Sequence, residues 1–376
     1  MILRDAYLLL QTRMESGKVV VLYGPRRVGK TTLMRMYADE MAEIEHIKFV
    51  SGESDLVQRQ LEDINKEKIQ AFLGDYTLVC IDEAQNIPDV GKKLKFMVDF
   101  FPHIKFLVSG SASLELAKNV GEPLVGRKWT IEIFPLSVHE IEQKYSHDAQ
   151  TELLELELLY GMYPEVIQSH SLERKEAYLD EILSSYLFKD ILALENIRNS
   201  RKIRDLLTLL AFQIGSEVSV FELANQLNMN RVTVEKYLDL LEKTFVIKNI
   251  RGFSRNLRKE VTKTSRYYFL DNGIRNALIR NFNPISLRDD VGKLFENFMV
   301  IELLKKQQNR GPKANSYFWR TYDQKEIDFL EEKSGKIYAY EFKWKPQSVK
   351  APQEFLDTYP NTEFLCVHRD NYRDVL

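Results

Sequence analysis

The sequence predicts an α/β fold that begins with a parallel sheet, and three observations carry that expectation. A G-x-x-x-x-G-K-[ST] turn, Gly24-Pro25-Arg26-Arg27-Val28-Gly29-Lys30-Thr31, joins an apolar run to a helical pattern. Further apolar runs without polar alternation recur between helical stretches, as strands buried on both faces do. One of these runs ends in paired carboxylates, Asp82-Glu83.

At 376 residues, the chain is too long for one comfortable domain, and about two to four are expected. Its 44% hydrophobic and 29% charged content is that of a globular protein. A formal net charge of −2 excludes a global electrostatic signature for nucleic acid, so any such binding must come from local patches. Cys80 and Cys366 sit in strand-like runs without a metal-ligand partner at useful spacing, and read as buried free thiols of a reducing compartment. No basic–apolar–small signal opens the sequence, and no apolar run approaches about 18 residues. A cytoplasmic location and no membrane partner are expected.

The first domain is expected over 1–145. Val19–Tyr23 reads as a strand, Leu33–Ala42 as a helix, and Ile47–Val50 as a second strand. A charged helix follows around Val57–Leu73, then a strand at Tyr76–Ile81, a helix at Val90–Phe101 and a strand at Ile104–Val108. In the turn, the backbone N–H groups of Gly24, Pro25, Arg26, Arg27, Val28, Gly29, Lys30, Thr31 and Thr32, proline's excepted, face the phosphates at the positive end of a helix. Lys30 then reaches the β- and γ-oxygens, and the Thr31 hydroxyl ligates Mg²⁺. Asp82 suits a water-bridged Mg²⁺ contact, and Glu83 suits polarising the attacking water. Lys105–Ser111 ends in small hydroxyl residues, where Ser111 would sense the γ-phosphate or simply close a turn. Arg127, ahead of a strand at Trp129–Phe134, would stabilise transition-state charge in cis or in a neighbouring subunit, or form an ordinary surface ion pair.

The phosphate turn, Asp82-Glu83-Ala84-Gln85, Ser109-Gly110-Ser111, and Gly126-Arg127 ahead of Phe134-Pro135-Leu136-Ser137 resemble prokaryotic AAA-type ATPases with a C-terminal DUF4143 region. The resemblance covers essentially the whole chain. It implies ATP and Mg²⁺ as cofactors, a P-loop NTPase core, a helical lid, a winged helix and a restriction-endonuclease-like end.

The lid is expected over 146–200, from the helical spacing of Leu153–Tyr160 and Glu173–Leu194 around a stop at Gly161-Met162-Tyr163-Pro164. A helix-turn-helix is expected over 201–285: Ile203–Ile214, Val220–Leu227 behind the N-cap Ser219, and Arg231–Thr244 with the stripe Val234, Leu238 and Leu241. The third helix mixes Arg231, Lys236 and Lys243 with Glu235, Asp239 and Glu242, so it offers no base-reading face. The wing carries Arg251, Arg255, Arg258, Lys259, Lys263 and Arg266, which suit gripping DNA or RNA phosphates; a solvated or protein-docking loop is the competing view.

A small α/β domain is expected over 286–376. A helix at Val291–Gln307 carries Glu296, and a strand at Tyr317–Trp319 precedes a hairpin turning at Ser334-Gly335. That register sets Asp328 opposite Glu341 and Glu326 opposite Lys343. Asp328 with Glu341-x-Lys343 and Glu296 resembles a PD-(D/E)xK nuclease core, in which Glu296, Asp328 and Glu341 would hold Mg²⁺ beside Lys343. Glu326-Ile327 replaces the proline lead-in. Both live catalysis and a fold retained for binding or assembly remain open.

Three functions are compatible with this sequence: an ATPase whose nucleotide state controls a nucleic-acid-facing winged helix and nuclease-like domain, an ATP-dependent switch for assembly with a protein partner or as a homo-oligomer, and an ATP-gated nuclease.

Overall fold

The computed structural model describes residues 2–110, 124–144, 150–187, 200–254, 265–321 and 323–376. Among these the chain divides into two compact units, one ending at Leu136 and one beginning at Ser137.

The first unit is built on β1 (Val19–Tyr23), β2 (Ile47–Ser51), β3 (Leu78–Asp82), β4 (Lys105–Gly110) and β5 (Lys128–Glu132). All its strand pairs are parallel, in the order β2-β3-β4-β1-β5. Every residue of β1 is buried, which is why that run shows no polar alternation. The order places β4 between β1 and β3, so the turn leaving β1 and the carboxylates leaving β3 flank the end of β4. The charged stretch expected as one helix is two, Asp55–Gln60 and Lys66–Leu73. Asn65 separates them because its Oδ1 accepts the Glu67 N–H at 2.9 Å and starts the second.

The second unit opens with helices Val138–Glu142, Gln150–Tyr160, Pro164–Gln168 and Leu172–Glu181. The long helix expected from Glu173 leaves α geometry at a π turn, Ile182–Leu187. Ser200–Phe212, Val220–Leu227 and Arg231–Lys243 follow. Ser219 caps the middle helix by accepting the Glu222 N–H at 3.3 Å, and Val234, Leu238 and Leu241 are buried.

A mixed sheet then forms from β6 (Glu217–Val218), β7 (Ile247–Gly252), β8 (Ser265–Phe269), β9 (Asn315–Arg320), β10 (Glu326–Lys333), β11 (Lys336–Lys343) and β12 (Thr362–His368). Its order is β12-β11-β10-β9-β7-β8-β6. Parallel pairing of Arg251 with Tyr317 and Gly252 with Phe318 joins the β7–β8 hairpin to β9. The β7–β8 hairpin, whose strands flank the basic stretch expected as a wing, therefore shares one sheet with the strands of the chain's end. Helix Val291–Asn309 packs against that sheet. In β10–β11, Phe329 pairs with Tyr340 and Lys333 with Lys336, the register expected from the Ser334-Gly335 turn. Of the cysteines, Cys80 is buried, but Cys366 is only half-buried, and its thiol donates to the Gln347 carbonyl at 3.2 Å. No helix among the described residues is long and apolar enough to cross a membrane.

Two places in the second unit enclose carboxylates tightly enough to give stability a measurable dependence. At the helix stop, Asp271 accepts the Met162 N–H at 2.7 Å and the Ile274 N–H at 3.2 Å. Gly161 stands there at φ 74, and a Cβ on it would lie 1.9 Å from Asp271 Oδ1. Gly161→Ala is expected to cost about 3 kcal/mol in urea unfolding, against about 1 kcal/mol for Gly17→Ala, where only the left-handed backbone opposes a side chain.

Elsewhere, buried Glu302 and Lys305 pair at 2.6 Å, and Glu302 also accepts the Val138 N–H at 2.8 Å. Burial, reinforced by the field of Glu302, pushes the nearby Glu157 carboxyl up to about 8. A carboxyl raised in the fold contributes stability that is full below its unfolded value of about 4.3 and is lost as pH rises through the folded value. Glu157→Gln is therefore expected to flatten the decline in unfolding free energy from about pH 4.3 to about 8.

Candidate functional site

The turn after β1 is shaped by close packing. A Cβ on Gly24 would fall 2.1 Å from the Ile133 carbonyl oxygen, so the main chain there runs hard against the end of β5. Lys30 opens helix Lys30–Met41, is 5% exposed, and folds its ammonium back over the loop. Its Nζ donates to the carbonyls of Gly24 at 2.9 Å and Pro25 at 2.7 Å. Arg4, which the sequence did not single out, braces the same loop: its guanidinium donates to the carbonyls of Val28 and Phe134. A lone arginine near the chain start carries no periodic or motif signal, so only the fold reveals this contact.

Thr31 Oγ1 donates to Asp82 Oδ2 at 2.8 Å, tying the start of the helix to the end of β3. Ser109 is wholly buried at the end of β4; its hydroxyl donates to Asp82 Oδ1 and accepts the Glu83 N–H at 3.1 Å. Glu83 takes a left-handed backbone at φ 49, and its carboxylate accepts the Gln85 amide at 2.5 Å. Lys30, Thr31, Asp82 and Glu83 thus converge as expected. Ser109 adds a link that sequence reasoning passed over in favour of Ser111, which lies outside the described residues. The β3–β4 register, in which Ile81 pairs with Val108, brings Ser109 level with Asp82.

Thr31 and Asp82 supply adjoining hard oxygen donors beside a helix N-terminus, a donor set that suits Mg²⁺ on a polyphosphate.

Arg127 is a correction. It precedes β5, where Val19 pairs with Lys128, whereas the phosphate turn follows Tyr23, which pairs with Glu132. The parallel register therefore sets Arg127 at the opposite end of the sheet, which removes a role at its own subunit's nucleotide. Its Nε bonds Asp99 at 2.6 Å, the surface ion pair left open by the sequence.

In the second unit, the charges on helix Arg231–Lys243 neutralise one another: Arg231 pairs with Glu235 at 3.0 Å and Lys243 with Asp239 at 2.6 Å. Arg251 is exposed, and Arg255, Arg258, Lys259 and Lys263 lie outside the described residues. Arg266 is a second correction. It is 2% exposed and turns inward from β8, so it adds nothing to a solvent-facing basic loop.

Glu296, Asp328 and Glu341 are buried. Asp328 accepts the Phe342 N–H at 2.9 Å, and Lys343 pairs with Glu341 at 2.7 Å. Burial, with Asp328 adding its field, pushes Glu296 up to about 7. Burial opposes the Lys343 charge, but its bond to Glu341 and the surrounding carboxylates outweigh this and hold its pKa above the usual lysine value. Among the described residues, no three His, Cys, Asp or Glu side chains form a metal-ligand set.

Comparison with known proteins gives the class to which this architecture belongs. An AAA domain model matches residues 16–142, and two domains of unknown function match the rest: DUF8612 over 151–284 and DUF4143 over 291–374. The chain is 30% identical over 344 residues to an uncharacterized protein of Mycobacterium tuberculosis, covering 90% of this chain and 73% of that one. An uncharacterized Haemophilus influenzae protein is 26% identical over all of this chain and 93% of its own. One from Methanocaldococcus jannaschii is 24% identical over 85% and 74%. The chain belongs to the family that joins an AAA domain to a C-terminal DUF4143 domain.

The bond from Ser109 to Asp82 gives the site a testable dependence. If the AAA domain hydrolyses nucleotide at a metal held by Asp82, Ser109→Ala is expected to lower that hydrolysis roughly tenfold or more, the usual effect of removing a partner that orients a metal-ligating carboxylate. Phosphate release by the variant, with its folding verified by thermal unfolding, is the measurement.

Proposed function

We propose that this protein is a Mg²⁺-dependent ATP hydrolase in which turnover at the AAA domain sets the state of the C-terminal region. The observation that carries the reading is the chain of hydrogen bonds from Thr31 through Asp82 and Ser109 to the Glu83 N–H. It joins the phosphate-loop helix to the ends of two strands, and so holds candidate metal and water-activating groups together.

Bound Mg²⁺ supplies charge neutralisation on the phosphates. The chain's own groups have separable tasks. Loop N–H groups and the helix N-terminus bind phosphate oxygens. Lys30 exchanges the Gly24 and Pro25 carbonyls for phosphate, moving a fixed positive charge to where negative charge develops. Thr31 and Asp82 hold the metal. Glu83 orients water and accepts its proton, with its backbone steadied by Ser109.

Lys30→Ala is expected to abolish nucleotide binding or turnover. Glu83→Gln is expected to keep ATP bound while turnover falls by about a hundredfold or more. Undiminished hydrolysis in both variants sinks the assignment.

For the output, a nucleic-acid-facing winged helix is one reading, supported by the basic composition of residues 251–263. A protein-assembly switch is the second, favoured by the self-paired charges of helix Arg231–Lys243. Stimulation of ATP turnover by DNA or RNA, with binding that weakens steeply in salt, supports the first. Polymer-independent turnover, with a nucleotide-dependent change in assembly state, supports the second.

A further inference from the structure

Two of the three carboxylates offered by the sequence as a metal site, Glu296 and Asp328, converge on an arginine together with Glu326, while the third, Glu341, is held by Lys343. From β8 the Arg266 guanidinium reaches Glu326 at 2.7 Å, and Glu296 and Asp328 each at 3.7 Å. It lies over the Phe318 ring of β9, 4.5 Å from its centre. The side chain thus crosses from the β7–β8 hairpin to β10 and to helix Val291–Asn309. At 3.7 Å the Nη1 contacts are ion pairs rather than hydrogen bonds, and Nη1 and Nε have no hydrogen-bond acceptor among the described residues. What the acids receive there is charge.

Each of the other sides of this cluster is also committed. Glu296 accepts the Lys293 ammonium and the Tyr268 hydroxyl, both at 2.9 Å. A Cβ on Gly215 would come within 2.8 Å of Glu296 Oε1, so the chain closes around that carboxylate. Asp328 accepts the Phe342 N–H, and Glu341 is held by Lys343. The sheet also kinks at this point: β10 slips register against β9 between Ile327 and Leu330, and such a bulge re-aims the side chains it contains. A buried carboxylate needs a compensating cation, whether metal or side chain. A guanidinium keeps its charge at any pH a protein meets, so this one does not empty the site by losing a proton.

We infer that side-chain cations take the place of the divalent cation that the nuclease resemblance assigns to Glu296, Asp328 and Glu341: Arg266 neutralises Glu296 and Asp328 together with Glu326, Lys343 neutralises Glu341, and the cluster takes no metal. The C-terminal region then works as a braced binding module without metal-dependent phosphodiester cleavage. This inference does not rest on the nucleotide site, and its test uses nucleotide-free protein.

Mn²⁺ is titrated into the full chain by calorimetry, with thermal unfolding followed in parallel, for wild type, Asp328→Asn, Arg266→Gln and the Arg266→Gln/Asp328→Asn double variant. Wild type and Asp328→Asn are expected to respond alike, since anything the phosphate loop binds is common to both. Arg266→Gln is expected to gain Mn²⁺ affinity and a Mn²⁺-dependent rise in Tm, and the double variant to lose both. A folded Arg266→Gln protein without that gain overturns the inference. Should that variant not fold, the wild-type comparison decides alone. Equal Mn²⁺ affinity in wild type and Asp328→Asn upholds it, and weakening by roughly tenfold or more in Asp328→Asn overturns it. Mn²⁺-dependent cleavage of DNA or RNA that Asp328→Asn abolishes overturns it as well.

Discussion

The hydrogen bond from the Thr31 hydroxyl to Asp82 is the constraint on which the first unit's chemistry depends. It can form because the helix after β1 begins at the level where β3 ends, which the parallel register of β1, β4 and β3 enforces. The strand placed between them contributes Ser109, and one buried hydroxyl then orients Asp82 through its carboxylate and Glu83 through its N–H. A pair of carboxylates at a strand end is common chemistry. Holding two adjacent acids in different settings takes a third group, and here a serine from the neighbouring strand provides it.

The second unit handles carboxylates in the opposite way. In the first unit, Thr31 and Asp82 keep an arrangement that suits a metal ion and phosphates arriving from outside. In the second, Glu296, Glu326 and Asp328 are satisfied by Arg266 and Lys293 from within the fold. The difference lies in burial. Glu296 and Asp328 are almost wholly removed from water, where an unpaired carboxylate costs too much to persist. Arg266 also links β8, β9, β10 and the long helix, so the cation that neutralises the cluster binds the hairpin to the rest of the sheet.

Much of this was legible in the sequence wherever the signal was local. The phosphate turn, the three helices Ser200–Phe212, Val220–Leu227 and Arg231–Lys243, and the Ser334-Gly335 hairpin register follow from short-range geometry. What escaped depends on which strands become neighbours. Ser109 matters because β4 lies beside β3, which no local pattern specifies. Arg127 was misplaced, although its position ahead of a strand was a usable warning, since ligands of parallel α/β sheets gather at the carboxyl ends of strands. Arg266 read as part of a basic loop; its place at the head of Tyr267-Tyr268-Phe269-Leu270, a run with no solvent-facing alternation, was the one hint of burial. The sharing of one sheet by β7–β8 and β9–β12 rests on a parallel pairing between Arg251 and Tyr317, distant in sequence and therefore invisible to periodicity.

The proposed function makes Lys30, Thr31 and Asp82 a Mg²⁺–ATP site. A crystal structure with a non-hydrolysable ATP analogue and Mg²⁺ tests it most directly through the position of one atom. The Lys30 Nζ is expected to have left the Gly24 and Pro25 carbonyls for the phosphates, with the metal beside Thr31 and Asp82. A nucleotide bound elsewhere, with Lys30 still on those two carbonyls, would contradict it.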